Sequence, residues 1–337
     1  ASPCPLILAA PIALIAGMSR SSRNGVVIKS GTVIEKLDRM KAIAFDKTGT
    51  LTKGDLTVDD IIPENSYSQD ELIDFVASVE QQSSHVLAVS VMKYIGDKPI
   101  PLATDLKEIE GNGIEGKVNG KLVKVGKLNF VTTEPISIKT EKTSLFVSVN
   151  DKYAGEITFT DEVRPEARQT IAQLIKMGIQ KIMMISGDKQ SISENIAKEI
   201  GITEVHGGCL PEDKLKILKS MPDEFRPVVM VGDGVNDAPS LTVADVGIAM
   251  GAKGSSAASD SADVVILRDN LQKVSDTILI SKETMKIARQ SVFIGIAVCT
   301  VLMLIAAFGV LPALIGAGLQ EVVDLISITS ALRALKD

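Results

Sequence analysis

The chain has 337 residues, 45% of them hydrophobic, a formal net charge of −6, no Trp and only 3% aromatics. The length allows two or three domains with their own cores, while the acidic balance and the scarcity of stacking side chains exclude a nucleic-acid-binding role. Cys4, Cys209 and Cys299 are far apart with no CxxC pair, so neither a structural zinc site nor a disulfide framework is indicated.

The first residues read Ser2-Pro3-Cys4-Pro5, and residues 5 to 18 carry no charge. The chain opens inside this apolar stretch, with neither an initiating Met nor a preceding basic region. This predicts no signal peptide and a carboxy-terminal fragment that starts within a membrane helix. Residues 19 to 40 read as a helix and connector leaving the membrane. Lys41 to Phe45 is an apolar strand that delivers Asp46 at its carboxyl end, where open α/β sheets bind ligands. The following Lys47-Thr48-Gly49-Thr50-Leu51-Thr52 offers hydroxyls, backbone N–H groups and a tight turn, which suits a phosphate. Asp46 is thus a candidate covalent nucleophile.

From about 56 to 153 the texture changes. Helices are expected around 70–95. Gly116 to Val125 is an alternating pair of strands about Asn119-Gly120, a strong hairpin signal, and Ser144 to Phe159 is a second pair about Asn150-Asp151. The α/β texture then resumes. Arg164 to Met177 reads as a helix with Pro165 at its start, Lys181 to Ile185 as a strand ending in Ser186-Gly187-Asp188, and Ser191 to Ile200 as a helix stopped by Gly201. Pro227 to Val231 is a strand delivering Asp233, and Val246 to Ala249 and Val264 to Leu267 are two more. Strands alternating with helices predict a doubly wound parallel sheet carrying an inserted α+β domain.

Ser291 to Gln320 is free of charge and long enough to span a bilayer, and a second apolar segment, Gly318 to Leu335, follows. Arg20, Arg23, Lys29, Lys282, Lys286, Arg289, Arg333 and Lys336 flank the apolar segments. The positive-inside rule places these flanks, and the polar region between them, in the cytoplasm.

The heptad Asp46 to Thr52 matches the phosphorylation motif of P-type ATPases residue for residue, and Gly232-Asp233-Gly234-Val235-Asn236-Asp237-Ala238-Pro239 resembles the hinge motif of that family. Together with Ser186 and with Lys214 in Pro211-Glu212-Asp213-Lys214, these residues follow the order found in the haloacid-dehalogenase superfamily. The resemblance implies that superfamily's fold, an ATP-derived aspartyl phosphate on Asp46, and Mg²⁺ held by Asp46, Asp233 and the Thr48 carbonyl. Lys214 would neutralise phosphate charge, Ser186 would donate to a phosphoryl oxygen, and Asp237 would orient the metal site or Lys214. Phosphatases of the superfamily usually carry a second Asp two residues after the nucleophile. Thr48 occupies that place and cannot act as a base, so the phosphoenzyme is expected to persist, as a transporter requires.

Glu80, His85, Gly111, Gly113 and Gly126 resemble the ATP-binding positions of heavy-metal-transporting P-type ATPases, although His85 precedes Val86 where that family has Pro. Asp161-Glu162-Val163-Arg164-Pro165 matches a further family motif, and Asp161 and Arg164 would fix the hinge. The Ser2-Pro3-Cys4-Pro5 stretch resembles the metal motif of the same subfamily, which makes Cys4 a ligand for a transported soft or borderline transition-metal ion. Glu321 and Asp324, three apart in an apolar helix, share a face and join Cys4 as ligand candidates. Cys299 and Met303, one helical turn apart, are packing residues or further ligands. The polar residues that the best-known members carry in these last helices are missing, which leaves the metal open.

The organisation expected is part of a membrane helix with the metal motif over 1–18, a connector and the first part of the phosphorylation domain over 19–55, and a nucleotide-binding domain over 56–153. The rest of the phosphorylation domain then covers 154–275, and two membrane helices cover 276–337. The resemblance implies an integral protein of the cell membrane with cytoplasmic catalytic domains. Its partners would be lipid, ATP, a heavy-metal ion, and the amino-terminal membrane helices and Thr-Gly-Glu-bearing actuator domain that this sequence lacks. The alternatives are a membrane-tethered phosphohydrolase of the same superfamily and a non-enzymatic metal or nucleotide sensor.

Overall fold

Two strings of side chains set the architecture: apolar runs that become central strands, and small residues that let helices approach. The computed structural model describes residues 4–136, 142–234, 237–251, 260–308 and 312–336, without the side chains of 4–6 and 313. These residues fall into two units, one of Ala1–Leu51 with Arg164–Asp337 and one of Thr52–Val163.

The first unit begins with α1 (Cys4–Arg23), which ends on Arg20 and Arg23, where cations complement the helix dipole. A three-residue strand, β1 (Val26–Ile28), and α2 (Gly31–Arg39) follow. The connector thus contains an edge strand that its shortness hides in the sequence. Strand β2 (Ala42–Asp46) is buried along its whole length, because it becomes an interior strand of a sheet covered on both faces.

The second unit carries β3 (Thr52–Pro63), α3 (Gln69–Glu80), α4 (Val86–Ile95), β4 (Ala103–Ile109), β5 (Gly113–Val118), β6 (Lys121–Gly126), the single turn α5 (Leu128–Val131), β7 (Thr143–Val149) and β8 (Lys152–Val163). All neighbouring strands are antiparallel, in the order β3-β8-β7-β6-β5-β4. Both expected hairpins form. Asn119 and Gly120, and Asn150 and Asp151, take positive φ, as two-residue hairpin turns demand. Helix α3 starts at a capping box between Ser68 and Glu71 and buries Leu72, Ile73, Phe75, Val76 and Val79 against the sheet.

Back in the first unit come α6 (Ala167–Lys176), β9 (Lys181–Ile185), α7 (Gln190–Ile200), β10 (Glu204–His206), α8 (Pro211–Lys219), β11 (Val228–Gly232), α9 (Ala238–Val243), β12 (Val246–Ala249) and β13 (Val264–Ile266). The sheet order is β1-β13-β12-β11-β2-β9-β10, parallel except for the β1–β13 edge pair. Helix α6 starts at Ala167 rather than at Arg164. The Arg164 backbone N–H is drawn to the Leu51 carbonyl (3.0 Å), and Pro165 opens a turn before the helix. Phe45 is fully buried in this core, where truncation to Ala would cost about 3–5 kcal/mol.

The chain then runs into α10 (Gln272–Ala307), 36 residues without a proline, and α11 (Ala313–Ala331), which passes into a 3₁₀ turn over Leu332–Leu335. Both are long and apolar enough to cross a membrane. The first turns of α10 bury Val274 and Ile278 beside the parallel-sheet body, so one helix joins that body to the apolar segment. Ala9 and Ala13 of α1, Ala288 of α10 and Ala331 of α11 form a shared core. At Gly17 even a methyl group would collide with the Thr284 side chain, so the α1–α10 approach requires glycine there.

Candidate active site

Adjacent parallel strands place the candidate groups. Asp46 ends β2, Ser186 follows β9, and Asp233 follows β11; β2 lies between the other two. All three therefore emerge at the carboxyl edge of the sheet, in the crevice typical of open α/β folds. Lys214 comes from the first turn of α8 and Asp237 immediately precedes α9. The Lys214 ammonium donates to Asp46 Oδ1 at 2.5 Å and to Asp237 Oδ1 at 2.8 Å. Asp46 and Asp237 are 6% and 2% exposed, so this bridge is desolvated and strong.

Burial lifts the Asp46 carboxyl to about 6; Asp237 adds to the rise and Lys214 opposes it. Burial also raises Asp237, against the pull of Lys214. For Lys214 burial works downward, but Asp46 and Asp237 outweigh it and hold the ammonium above its ordinary value. Near neutral pH the arrangement is a buried carboxylate beside a fixed cation.

The heptad loop departs from regular helix at Thr48 and Gly49, where Gly49 takes φ +73°. A methyl group built on Gly49 would sit 3.4 Å from Asp233 Oδ2, so the Asp233 carboxylate faces this loop. Thr48 is exposed, whereas the Thr50 hydroxyl is buried without a hydrogen-bond partner among the described residues. The Ser186 hydroxyl accepts from the Asp188 backbone N–H at 3.1 Å and keeps its own proton available to donate. Asp188 also pairs with the buried ammonium of Lys47. Lys47 was legible only as a member of the heptad; its tie to the Ser186 turn depends on β2 and β9 being neighbours. Val235 and Asn236 of the hinge motif lie outside the described residues.

Arg164 is buried, donates to the Gly49 carbonyl at 3.2 Å and pairs with Asp269 at 2.6 Å. It fastens the middle of the heptad loop to the segment after β13. In the other unit, Asp161 accepts from Thr52 (2.5 Å) and from the Gly54 N–H (2.9 Å), joining the outer ends of β3 and β8.

Glu80, His85, Gly111, Gly113 and Gly126 all line one cavity of about 370 Å³ in the Thr52–Val163 unit, with Ser83, Glu108 and Lys127 among their neighbours. Its floor exists because Gly113 and Gly126 face each other across β5 and β6: a Cβ on either would run into the backbone of the other. His85 caps α4, its Nδ1 accepting from the Leu87 N–H at 3.3 Å. Its φ −65°, ψ 143° is the extended conformation that a following proline favours, so Val86 leaves that local geometry in place.

Burial lifts the Glu80 carboxyl from 4.5 to about 7; a Ser83 hydrogen bond opposes the rise and Glu108 adds to it. Between those values the folded chain holds a proton that the unfolded chain has released, so stability of this unit falls as pH rises through the interval. Glu80→Gln is expected to abolish that slope and, above it, to stabilise the unit by up to roughly 3 kcal/mol. All three tyrosines, Tyr67, Tyr94 and Tyr153, lie in this unit, and there is no Trp. Tyrosine emission during urea unfolding at pH 5 and pH 8 reads the effect; a wild-type midpoint independent of pH would refute it.

In the apolar helices, the Cys299 thiol donates to Gln320 Oε1 at 3.6 Å, and Gln320 Nε2 donates to Asp324 Oδ1 at 3.3 Å. Asp324 therefore lies on the face of α11 turned to α10, the face that also buries Val323, Ser327 and Ala331, whereas Glu321 is exposed. Of the two acidic candidates, Asp324 joins this polar contact and Glu321 faces away from it toward the surface. Gln320, which drew no attention in the sequence, sits between Asp324 and Cys299, and Met303 is half exposed. Ser2 and Pro3 lie outside the described residues; Cys4 opens α1, and its side chain is not among those described.

The donor set at Asp46 fits magnesium. Among the described residues no group of three or more His, Cys, Asp and Glu converges to hold a metal. A cation that takes one or two carboxylates and completes its shell with phosphate and water needs no such group.

Comparison with known proteins agrees with this geometry. The haloacid dehalogenase-like hydrolase family matches residues 40–245. A cadmium, zinc and cobalt-transporting ATPase of Bacillus subtilis is 34% identical over 344 residues, covering 99% of this chain and 49% of the relative. The crystal structure of a zinc-transporting PIB-type ATPase in its E2.Pi state superposes with a TM-score of 0.90 at 31% identity, over 99% of this chain and 56% of that one. The catalytic domain of a CPx-ATPase matches with a TM-score of 0.64 at 31% identity, over 77% of this chain and 98% of the domain. The chain spans about half the length of the curated relatives it matches. Membrane integration with cytoplasmic catalytic units follows from these likenesses and from the two apolar helices. The chain belongs to the haloacid dehalogenase-like hydrolases and, within them, to the heavy-metal-transporting P-type ATPases.

Proposed function

We propose that this chain is the catalytic and last membrane part of an ATP-driven exporter of heavy-metal cations that works through an aspartyl phosphate on Asp46. The observation that carries the reading is the Lys214 bridge between Asp46 and Asp237 at the carboxyl edge of the sheet. An Asp46 oxygen attacks the γ-phosphorus of ATP, the bond to the β-phosphate oxygen breaks, and ADP leaves. Lys214 offsets the negative charge of the incoming phosphate, and the Ser186 hydroxyl donates to one of its oxygens. Magnesium held by Asp46, Asp233 and the Thr48 carbonyl would supply the remaining charge neutralisation. The cavity bordered by Glu80, His85, Gly111, Gly113 and Gly126 has room for the adenosine part of ATP.

The cargo is a soft or borderline divalent cation such as cadmium or zinc. A thiol, a carboxylate and an amide oxygen in apolar helices suit that class, and the metals for which its relatives are named agree. Cys4 and Asp324 are the ligands this reading assigns, with Glu321 outside the polar cluster.

The test is phosphorylation from γ-labelled ATP in the full-length protein. The label is expected to survive acid, to be released by hydroxylamine as an acyl phosphate is, and to disappear when magnesium is chelated. An acid-stable label resistant to hydroxylamine would remove the acyl phosphate from the mechanism.

A further inference from the structure

The arginine-lined concavity where α10 meets the end of α11 is not used by the reaction. Arg289, Gln290, Phe293, Ile294 and Arg333 line it, and its volume is about 410 Å³. Arg333 Nη2 donates to Gln290 Oε1 at 3.2 Å and its Nε to the Ser330 carbonyl at 3.0 Å, while Ser291 and Ser330 join the two helices at 2.9 Å. The Arg289 guanidinium pairs with Asp38 of α2. The two arginines therefore stand at one level and are held in place.

That level has a meaning. Arg289 is the last charge before the uncharged run from Gln290 into the apolar half of α10. Phe293 and Ile294, one turn further on, are 74% and 40% exposed. The concavity thus has guanidiniums at the depth of lipid headgroups and an apolar wall at the depth of the first acyl methylenes. At the same end of the three helices Arg20 is offset by Glu283 (2.7 Å), while Arg23, Lys282, Lys286 and Lys336 add positive charge. A free phosphate would use the guanidiniums but not the apolar wall; an anionic lipid uses both.

We propose that this concavity binds the headgroup of an anionic phospholipid, its phosphate between Arg289 and Arg333 and an acyl chain along Phe293 and Ile294. Arg289 also holds Asp38 in the connector to β2, so bound lipid shares a side chain with the phosphorylation unit. The inference rests on membrane placement and not on the phosphoryl-transfer reading, so either can fail alone.

The test uses the full-length protein in detergent and native mass spectrometry, with phosphatidylglycerol and phosphatidylcholine of equal chain length as probes. Wild type is expected to retain phosphatidylglycerol in preference. Arg333→Gln and Arg289→Gln should each lower retention about fivefold, and Lys336→Gln, outside the lining, should not. Phe293→Ser keeps both guanidiniums and is expected to weaken lipid retention as well; it serves also if an arginine variant fails to fold. Equal retention of the two lipids would overturn the proposal, as would unchanged retention in Arg333→Gln or in Phe293→Ser. Displacement of phosphatidylglycerol by equimolar inorganic phosphate would likewise overturn it, showing that the site reads phosphate alone.

Discussion

Asp46→Asn is expected to leave the full-length protein without any acid-stable label from γ-labelled ATP, while ATP still binds. The amide keeps the size of the carboxyl and can still accept from Lys214, so the fold around the β2 end is retained. It lacks the negative oxygen that must attack phosphorus. Lys214→Met tests the electrostatic half of the same idea. Without the ammonium that Asp46 and Asp237 share, two buried acids face each other and an incoming phosphate with no fixed cation. Labelling should slow by about 10²-fold. Nucleotide affinity, measured separately, should be preserved in both variants, because the cavity proposed for the nucleotide belongs to the other unit. Full labelling in Asp46→Asn would refer the chemistry to another residue.

The second large effect concerns how long the proposed phosphoenzyme lasts. Thr48 is exposed two residues beyond the nucleophile and cannot take a proton from water near neutral pH. Thr48→Asp would place a carboxylate there. Once phosphorylated, the variant is expected to lose its phosphate about 10²-fold faster than wild type, the lower end of what a positioned general base contributes. A chase of labelled protein with unlabelled ATP measures the lifetime. An unchanged lifetime would mean that water is excluded from the site by other means and that Thr48 does not protect the intermediate.

Much of this was legible along the chain because the informative signals are local. A fully apolar strand before an Asp, a Thr/Gly turn after it, and Asn-Gly between alternating strands each carry their own geometry, and all appear in the fold where expected. Ser186, Lys214, Asp233 and Asp237 were legible as types in order, but their meeting depends on strand order, which a sequence does not state. The Lys47–Asp188 pair and the Arg164 strut to Gly49 were hidden for that reason. Glu321 and Asp324 show a different limit. Spacing of three puts them near one another on a helix surface, but which side faces α10 is decided by small and apolar residues at 323, 327 and 331. Strand β1 was hidden because three residues are too few to show a period, and its partner lies far along the chain at β13.

The unbroken α10 has a mechanical consequence. At 36 residues it is about 54 Å long. With no proline hinge to absorb rotation, it behaves as a stiff lever whose fulcrum is the tight crossing at Gly17 and Thr284. A tilt of about 5° shifts its far tip relative to its root by roughly 5 Å, close to one helical turn. Cys299 rides on the arm beyond that fulcrum, so a small swing is enough to change its distance from any ligand on a neighbouring helix that stays still.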